Sequence, residues 1–328
     1  MKRHANRWAG ANPALVNLRR SVLLFFLLFT VPLFAQDTPI GVPGTEVATE
    51  ETPAAAANAD ELRKESQNPV ASLISVPVQN NNNVGINPGY RTQDVLNIQP
   101  VIPVKVSDSW NLIIRWITPI IYQPLPAPSA LPQLGVSGLG DMQPTFLLSP
   151  RKPHKVIWGA GPIIQLPTAT SQYLGQGKLA IGPNVVALMM PSHFVLGVLV
   201  NNIWSVAGGG SRPNINQMLL QYFVNFNMKK GWFLTTQPII TANWNAPAPS
   251  GSVWTAPFGG GVGRIMKLGF QPVSINVQAY GNAVHPPEAS PWGIRAQFSL
   301  LFPKLTKQQQ KMLMEQKLKQ MEQEPAQK

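Results

Sequence analysis

Between Asn216 and Trp244 apolar and polar side chains alternate with a period of two. Met218, Leu220, Tyr222, Val224, Phe226 and Met228 share one parity; Gln217, Leu219, Gln221, Phe223, Asn225 and Asn227 take the other. Successive side chains of a strand point to opposite faces, so the spacing predicts a strand with one apolar and one largely polar face. After Lys229-Lys230-Gly231 the pattern resumes, with Trp232, Leu234, Thr236, Pro238, Ile240, Ala242 and Trp244 on one face. Each arm matches the roughly 9–11 residues a tilted strand needs to cross a bilayer. Tryptophan at both ends of the second arm suits two aromatic belts. A half-buried soluble sheet shows the same alternation, so the hairpin counts only if the chain repeats it.

It repeats from residue 69 to residue 303. Strand-like runs are expected over about Pro69–Gln79, Asp94–Val106, Trp110–Gln123, Gly138–Leu148, Val156–Leu166, Leu179–Met189 and Phe194–Val206, then the hairpin. Val253–Leu268, Gln271–Val284 and Trp292–Phe302 complete the set. Long connections such as Asn80–Arg91, Pro124–Ser137, Thr168–Lys178 and Ala207–Ile215 alternate with shorter ones such as Ser107–Ser109, Pro191–His193 and Gly269–Phe270. Long outer loops alternating with short periplasmic turns are a property of outer-membrane barrels. The expected fold is therefore all-β: a transmembrane antiparallel up-and-down β-barrel of about twelve strands, an even number as bacterial barrels prefer. Proline inside the runs, at Pro100, Pro119, Pro144, Pro162, Pro183, Pro238 and Pro257, removes ladder hydrogen bonds and calls for bulges.

The N-terminus changes the compartment. Lys2, Arg3, Arg7, Arg19 and Arg20 precede an apolar core at Ser21–Phe34, which reads as a signal peptide over residues 1–35, cleaved near Ala35. Residues 36–68, rich in proline, alanine and acids, read as a disordered periplasmic linker, and residues 304–328 as a polar helical or disordered tail. Charged residues make up 12% of the chain, about half the usual share, which suits a lipid-facing band around a mostly neutral interior. Without the signal segment, 21 basic residues face 14 acidic ones, a formal +7. These cations are scattered rather than gathered on one helix, so a nucleic-acid partner is not expected. There is no cysteine, hence no thiolate chemistry and no cysteine metal site.

Candidate chemistry is sparse. His154, His193 and His285 fall in separate connections, without metal-site spacing, and no cofactor is expected. A lipase-type pairing could use only His285 with Ser290 or Ser250, and no nucleophile motif surrounds them. Gly259–Gly263 lacks the Lys-Ser/Thr of a phosphate loop and reads as a kink in the wall. Arg115, Asp141, Gln143, Arg295 and Gln297 lie on polar parities and are candidate lumen-lining residues. Arg264 joins them if a bulge separates it from Phe258. Residues 69–302 carry 13 Lys or Arg against Asp94, Asp108, Asp141 and Glu288. A basic lumen would favour anions; the alternative is that inward arginines cross-link the wall and plug it.

The chain resembles a bacterial family of outer-membrane barrels related to the phenol-degradation meta-pathway barrel proteins, whose members often carry the mistaken label neuromedin U or simply "transporter". The resemblance covers residues 68–304. It is carried by Asn97-Ile-Gln-Pro-Val-Ile-Pro103, Gly138-Leu-Gly-Asp141, Leu166-Pro-Thr-Ala-Thr170, Leu174-Gly-Gln-Gly-Lys178, Gly197-Val-Leu-Val-Asn-Asn-Ile-Trp204, Leu219-Leu-Gln-Tyr-Phe223 and Pro257-Phe-Gly-Gly-Gly-Val-Gly-Arg264. It implies a channel in a Gram-negative-type outer membrane for hydrophobic or small organic solutes, with no catalytic or binding residues to transfer. The tail after Phe302 departs from barrels that end on an aromatic strand. The expected function is passive passage of a small solute; the alternative is a closed structural or binding barrel acting through its outer loops. Expected partners are outer-membrane lipids, the solute and the barrel-assembly machinery.

Overall fold

Alternation alone does not make a wall; each strand must also find a partner on both edges. In the computed structural model of this chain, residues 62–63, 66–71, 73–87, 89–125, 135–152, 155–247, 253–269 and 271–303 are described. The expected signal peptide, nearly all of the expected linker, the expected tail, His154 and Ser250 lie outside them. Fifteen strand segments build twelve wall strands. They are β1 (Ile74–Ile86), β2 (Arg91–Ile98 and Val101–Lys105), β3 (Trp110–Pro124), β4 (Gly135–Leu139 and Gln143–Pro150), β5 (Ile157–Gln165) and β6 (Lys178–Met189). The second half comprises β7 (Phe194–Gly208), β8 (Asn216–Asn227), β9 (Trp232–Thr236 and Ile239–Asn243), β10 (Trp254–Leu268), β11 (Gln271–Val284) and β12 (Trp292–Phe302). Each pairs antiparallel with its chain neighbours. The barrel closes where β1 meets β12, from Ile74 on Phe302 to Val84 on Trp292.

The outward parity is apolar: Ile181, Val185, Val198, Val200, Leu234, Val262 and Val277 are all exposed. Aromatic rings mark both ends of this band. Trp110 stands edge-on to Trp158 at 5.9 Å, and Phe194 lies 5.0 Å from Phe226, at the short-turn end. Trp244 meets Trp254 at 5.4 Å near the long loops. Amphipathic rings favour membrane interfaces.

Three regions depart from the sequence expectation. The first strand starts at Ile74, and runs through Asn80–Asn83 to Ile86, so the long loop expected over Asn80–Arg91 shrinks to residues 87–90. Asparagine is a poor strand former, but here the backbone is paired on both edges. The amides bond one another as well: Gln79 to Asn81 at 3.1 Å and Asn83 to Gln93 at 2.8 Å. Second, β2 breaks at Gln99-Pro100, β4 at residues 140–142 and β9 at Gln237-Pro238. Two of the three breaks fall on a strand proline, and Pro257 sits on a register shift in β10. Pro119, Pro144, Pro162 and Pro183 stay within continuous strands. Third, the glycine run of β10 remains in register with β11 throughout Pro257–Leu268.

The core lies inside the barrel, toward the short-turn end. Ile113, Leu147, Val186, Leu188, Val195, Leu199 and Phe223 form one inward cluster; Phe233, Ile265 and Leu301 form another. Burying side chains of this size stabilises by about 1.5–3 kcal/mol each. The two inward phenylalanines lie flat because their neighbours lack side chains. A Cβ on Gly197 would stand 2.2 Å from Phe223, and one on Gly263 2.3 Å from Phe233.

Candidate transport lumen

Lumen-facing positions follow from register. Arg115 shares the parity of buried Ile113, and Arg295, Gln297 and Ser299 pair with Asn81, Gln79 and Pro77 of β1. On the wall formed by β12, β1, β2 and β3 the inward polar side chains include Arg295, Gln297, Gln79, Asn81, Gln93, Asn97, Arg115 and Gln123, interspersed with Val95, Ile117 and Ile121. Most of these polar groups are partly exposed, whereas Arg295 is buried. Gln143 also faces inward and donates to Gln165 at 3.0 Å. Gln297 donates to Ser299 at 3.0 Å.

The structure puts three charges expected in the lumen beside the three strand breaks. Arg115 donates to Gln99 Oε1 at 2.5 Å, alongside the break in β2. Asp141 sits in the break of β4. Its carboxylate accepts the backbone N–H groups of Ala169 at 3.1 Å, Gln176 at 2.6 Å and Gly177 at 3.4 Å, plus Gln165 Nε2 at 3.4 Å. It therefore clamps the loop 166–177 over the outer mouth. At the break in β9, Arg295 Nη1 donates to the Gln237 carbonyl at 2.9 Å while its Nε donates to Asn81 at 2.9 Å. The guanidinium lies 5.0 Å from the centre of the Tyr280 ring. The Tyr280 hydroxyl accepts the Gln237 N–H at 2.8 Å and donates to Gln278. A break frees backbone groups that must find partners when buried, and these side chains supply them. Arg295 thus spans from β12 to β9. The intervening inward positions of β10 are Gly259, Gly261 and Gly263, so no side chain of that face obstructs it. The glycine run is the signal in the sequence that could have pointed to this strut.

Arg264 is a correction. It pairs with Trp232 across β9 and with Ile275 across β11, both outward, and its guanidinium sits 5.3 Å from the Trp232 ring. No bulge separates it from outward Phe258, so the parity carries straight through the glycines. It lies at the short-turn end, next to the turn Lys229–Gly231, where a long basic side chain can keep its charge in water.

Residues 62–73 were not expected in the lumen, yet those described fill its short-turn end. Val70 packs into the first inward cluster, and Ala71 and Leu73 into the second. Arg63 is buried and donates to the Met228 carbonyl at 2.8 Å. Gln67 and Asn227 exchange hydrogen bonds of 2.9 and 3.1 Å.

Of the lipase-type pairings, His285 with Ser290 does not form, and Ser250 lies outside the described residues. The Ser290 hydroxyl lies 2.5 Å from the carbonyls of both Val84 and Trp292, whereas His285 Nδ1 stands 2.8 Å from the Pro286 carbonyl. Among the described residues no group of three or more acidic or histidine side chains could hold a metal.

No protein-family model matches the chain, and no curated protein matches it. Among solved structures, an outer membrane channel from Pseudomonas putida F1 aligns over 70% of this chain and 96% of its own, at 14% identity and a TM-score of 0.54. This is an outer-membrane barrel fold. A NanC porin (TM-score 0.44, 8% identity, 70% of this chain and 100% of that one) and Escherichia coli outer membrane phospholipase A (0.37, 10%, 71% and 93%) overlap less well. At those scores neither weighs on the barrel's function.

Proposed function

We propose that this barrel is a passive channel for a small organic solute in the outer membrane of a Gram-negative-type cell, reached through a signal peptide over residues 1–35. The observation that carries this reading is the partly exposed, largely polar wall of β12, β1, β2 and β3. Two guanidinium groups stand on it, with no carboxylate at ion-pair distance among the described residues. Fixed cations in a narrow lumen favour anions. The likeness to the Pseudomonas putida channel supports the same reading, and the quoted stretches resembling meta-pathway barrels make an organic solute the natural cargo. Chemistry plays no part in this function, and membrane lipids surround the apolar band. The assembly machinery then has to read β12, with Phe298 and Phe302, from within the chain rather than at its end.

The packing of residues 62–73 favours a second reading, a closed barrel that binds partners through its loops. Planar-bilayer recording under a salt gradient separates the two. A channel gives discrete steps and an anion-selective reversal potential, which weakens in Arg115→Gln and Arg295→Gln and weakens further in the double variant. A heat-modifiable, folded barrel that never conducts, even after removal of residues 62–73, would establish the closed reading.

A further inference from the structure

We infer that the cleft at the outer mouth, between the segments 166–177 and 209–215, is a low-affinity capture site for small organic carboxylates. This rests on the channel reading and adds the class of solute. The cleft measures about 290 Å³ and is lined by Gln176, Arg212, Asn214, Ile215, Gln217 and Asn243 among others. Gln217 and Asn243 are cross-strand partners at the outer ends of β8 and β9, on the lumenal parity. The floor of the cleft is thus the top of the lumen.

Its chemistry is that of a carboxylate receiver. Arg212 is half-buried, and Nη1 donates to the Gln172 carbonyl at 3.1 Å. That contact orients a guanidinium with five N–H donors, of which it takes one. Gly177 makes room for the guanidinium: with φ at +67°, it has no Cβ, and one there would stand 3.2 Å from Arg212 Nε. Lys178 is buried and its ammonium donates to Asn214 Oδ1 at 2.6 Å. An ammonium can only donate, so the amide oxygen is committed to it and the Asn214 NH₂ is left for a ligand. The nearby acid does not compete. Asp141 has its oxygens taken by the loop N–H groups of Ala169, Gln176 and Gly177. Among the described residues no carboxylate lines the cleft.

A planar guanidinium binds carboxylates through paired N–H donors, and the surrounding amides accept or donate to the rest of the solute. Ile215 and Pro213 offer an apolar side to its body. An open cleft of this size is at the small end for ligand sites, which suits a solute that must be released inward again.

The test is a titration of the full chain in lipid nanodiscs with benzoate and, separately, with benzyl alcohol, a neutral molecule of the same shape. The Trp244–Trp254 pair, which adjoins Asn243, serves as the fluorescent reporter. Benzoate should bind weakly but saturably, and benzyl alcohol should not. Arg212→Gln should weaken benzoate binding about tenfold, equivalent to ~1.4 kcal/mol. Gly177→Val should do the same by displacing the guanidinium while its charge stays in place. Equal binding of the two probes, or unchanged benzoate affinity in Arg212→Gln with heat-modifiable migration intact, overturns the site. Conductance of the same samples keeps the two readings apart. Arg212-dependent benzoate binding in a barrel that never conducts preserves the site and sinks the channel; conductance without such binding does the reverse.

Discussion

At the short-turn end of the lumen, Val70, Ala71 and Leu73 meet Ile113, Phe223 and Phe233 in close apolar packing. Toward the long loops, Gln143, Gln165, Gln176 and Gln217 pass hydrogen bonds from amide to amide over 3.0, 3.1 and 3.4 Å. Both ends are filled by side chains, but at different cost to a passing solute. Displacing packed methyl and ring groups forfeits contacts that no small polar molecule replaces. An amide chain exchanges its partners for water or for a solute at little net loss. A polar solute is therefore opposed less by the amides of the outer end than by the packed apolar groups of the short-turn end.

The comparison can be broken most forcefully at the packed end. In Val70→Asp combined with Leu73→Asp, two carboxylates would be buried without partners, a situation proteins avoid by expelling the group. Conductance should rise several-fold with the barrel still heat-modifiable; an unchanged trace would show that residues 62–73 do not set the closed state. Next in size, Phe233→Ala should cost ~3–5 kcal/mol, as for other buried aromatics, read as an earlier midpoint in urea unfolding from vesicles. At the hydrogen-bonded end, Asp141→Asn replaces one of two acceptor oxygens by a donor, which then faces either the Ala169 N–H or those of Gln176 and Gly177. It should loosen the loop 166–177 by ~1–3 kcal/mol. Faster nicking of that loop by added protease, with the global midpoint held, is the expected signature. The smallest effect belongs outside the lumen. Arg264→Gln loses a ring contact worth ~0.5–1 kcal/mol and should leave ion selectivity untouched, whereas Arg295→Gln shifts it.

The wall was legible because parity is a strict code: the hairpin Asn216–Trp244 reads the same way in sequence and structure, and so do inward Arg115, Arg295 and Gln297. The interior was less legible for physical reasons. Parity turns Phe223, Phe233 and Ile113 inward beside Asn225, Thr235 and Arg115, but it does not say which distant side chains they pack against. Arg264 was misplaced because Gly259–Gly261 carry no side chains from which to track parity. The run Asn80–Asn83 looked like a loop because its amides satisfy one another only once β2 and β12 flank it. Nothing local in residues 62–73 announces that they pack against Phe233 and Leu301, far along the chain.

The junction of β1 and β12 carries a consequence in time. Asn81 and Arg295, which bond across it, lie 214 residues apart in sequence. No other seam of the barrel asks so much of the chain, and pairings so distant form slowly. Until the last strand arrives, β1 must wait with one edge bare, and a bare apolar edge invites other chains to pair with it. Four consecutive asparagines keep that edge hydrated and, as poor strand formers, disfavour early pairing there. The stretch that weakens the first strand as a strand is thus what keeps the unfinished barrel available for closure.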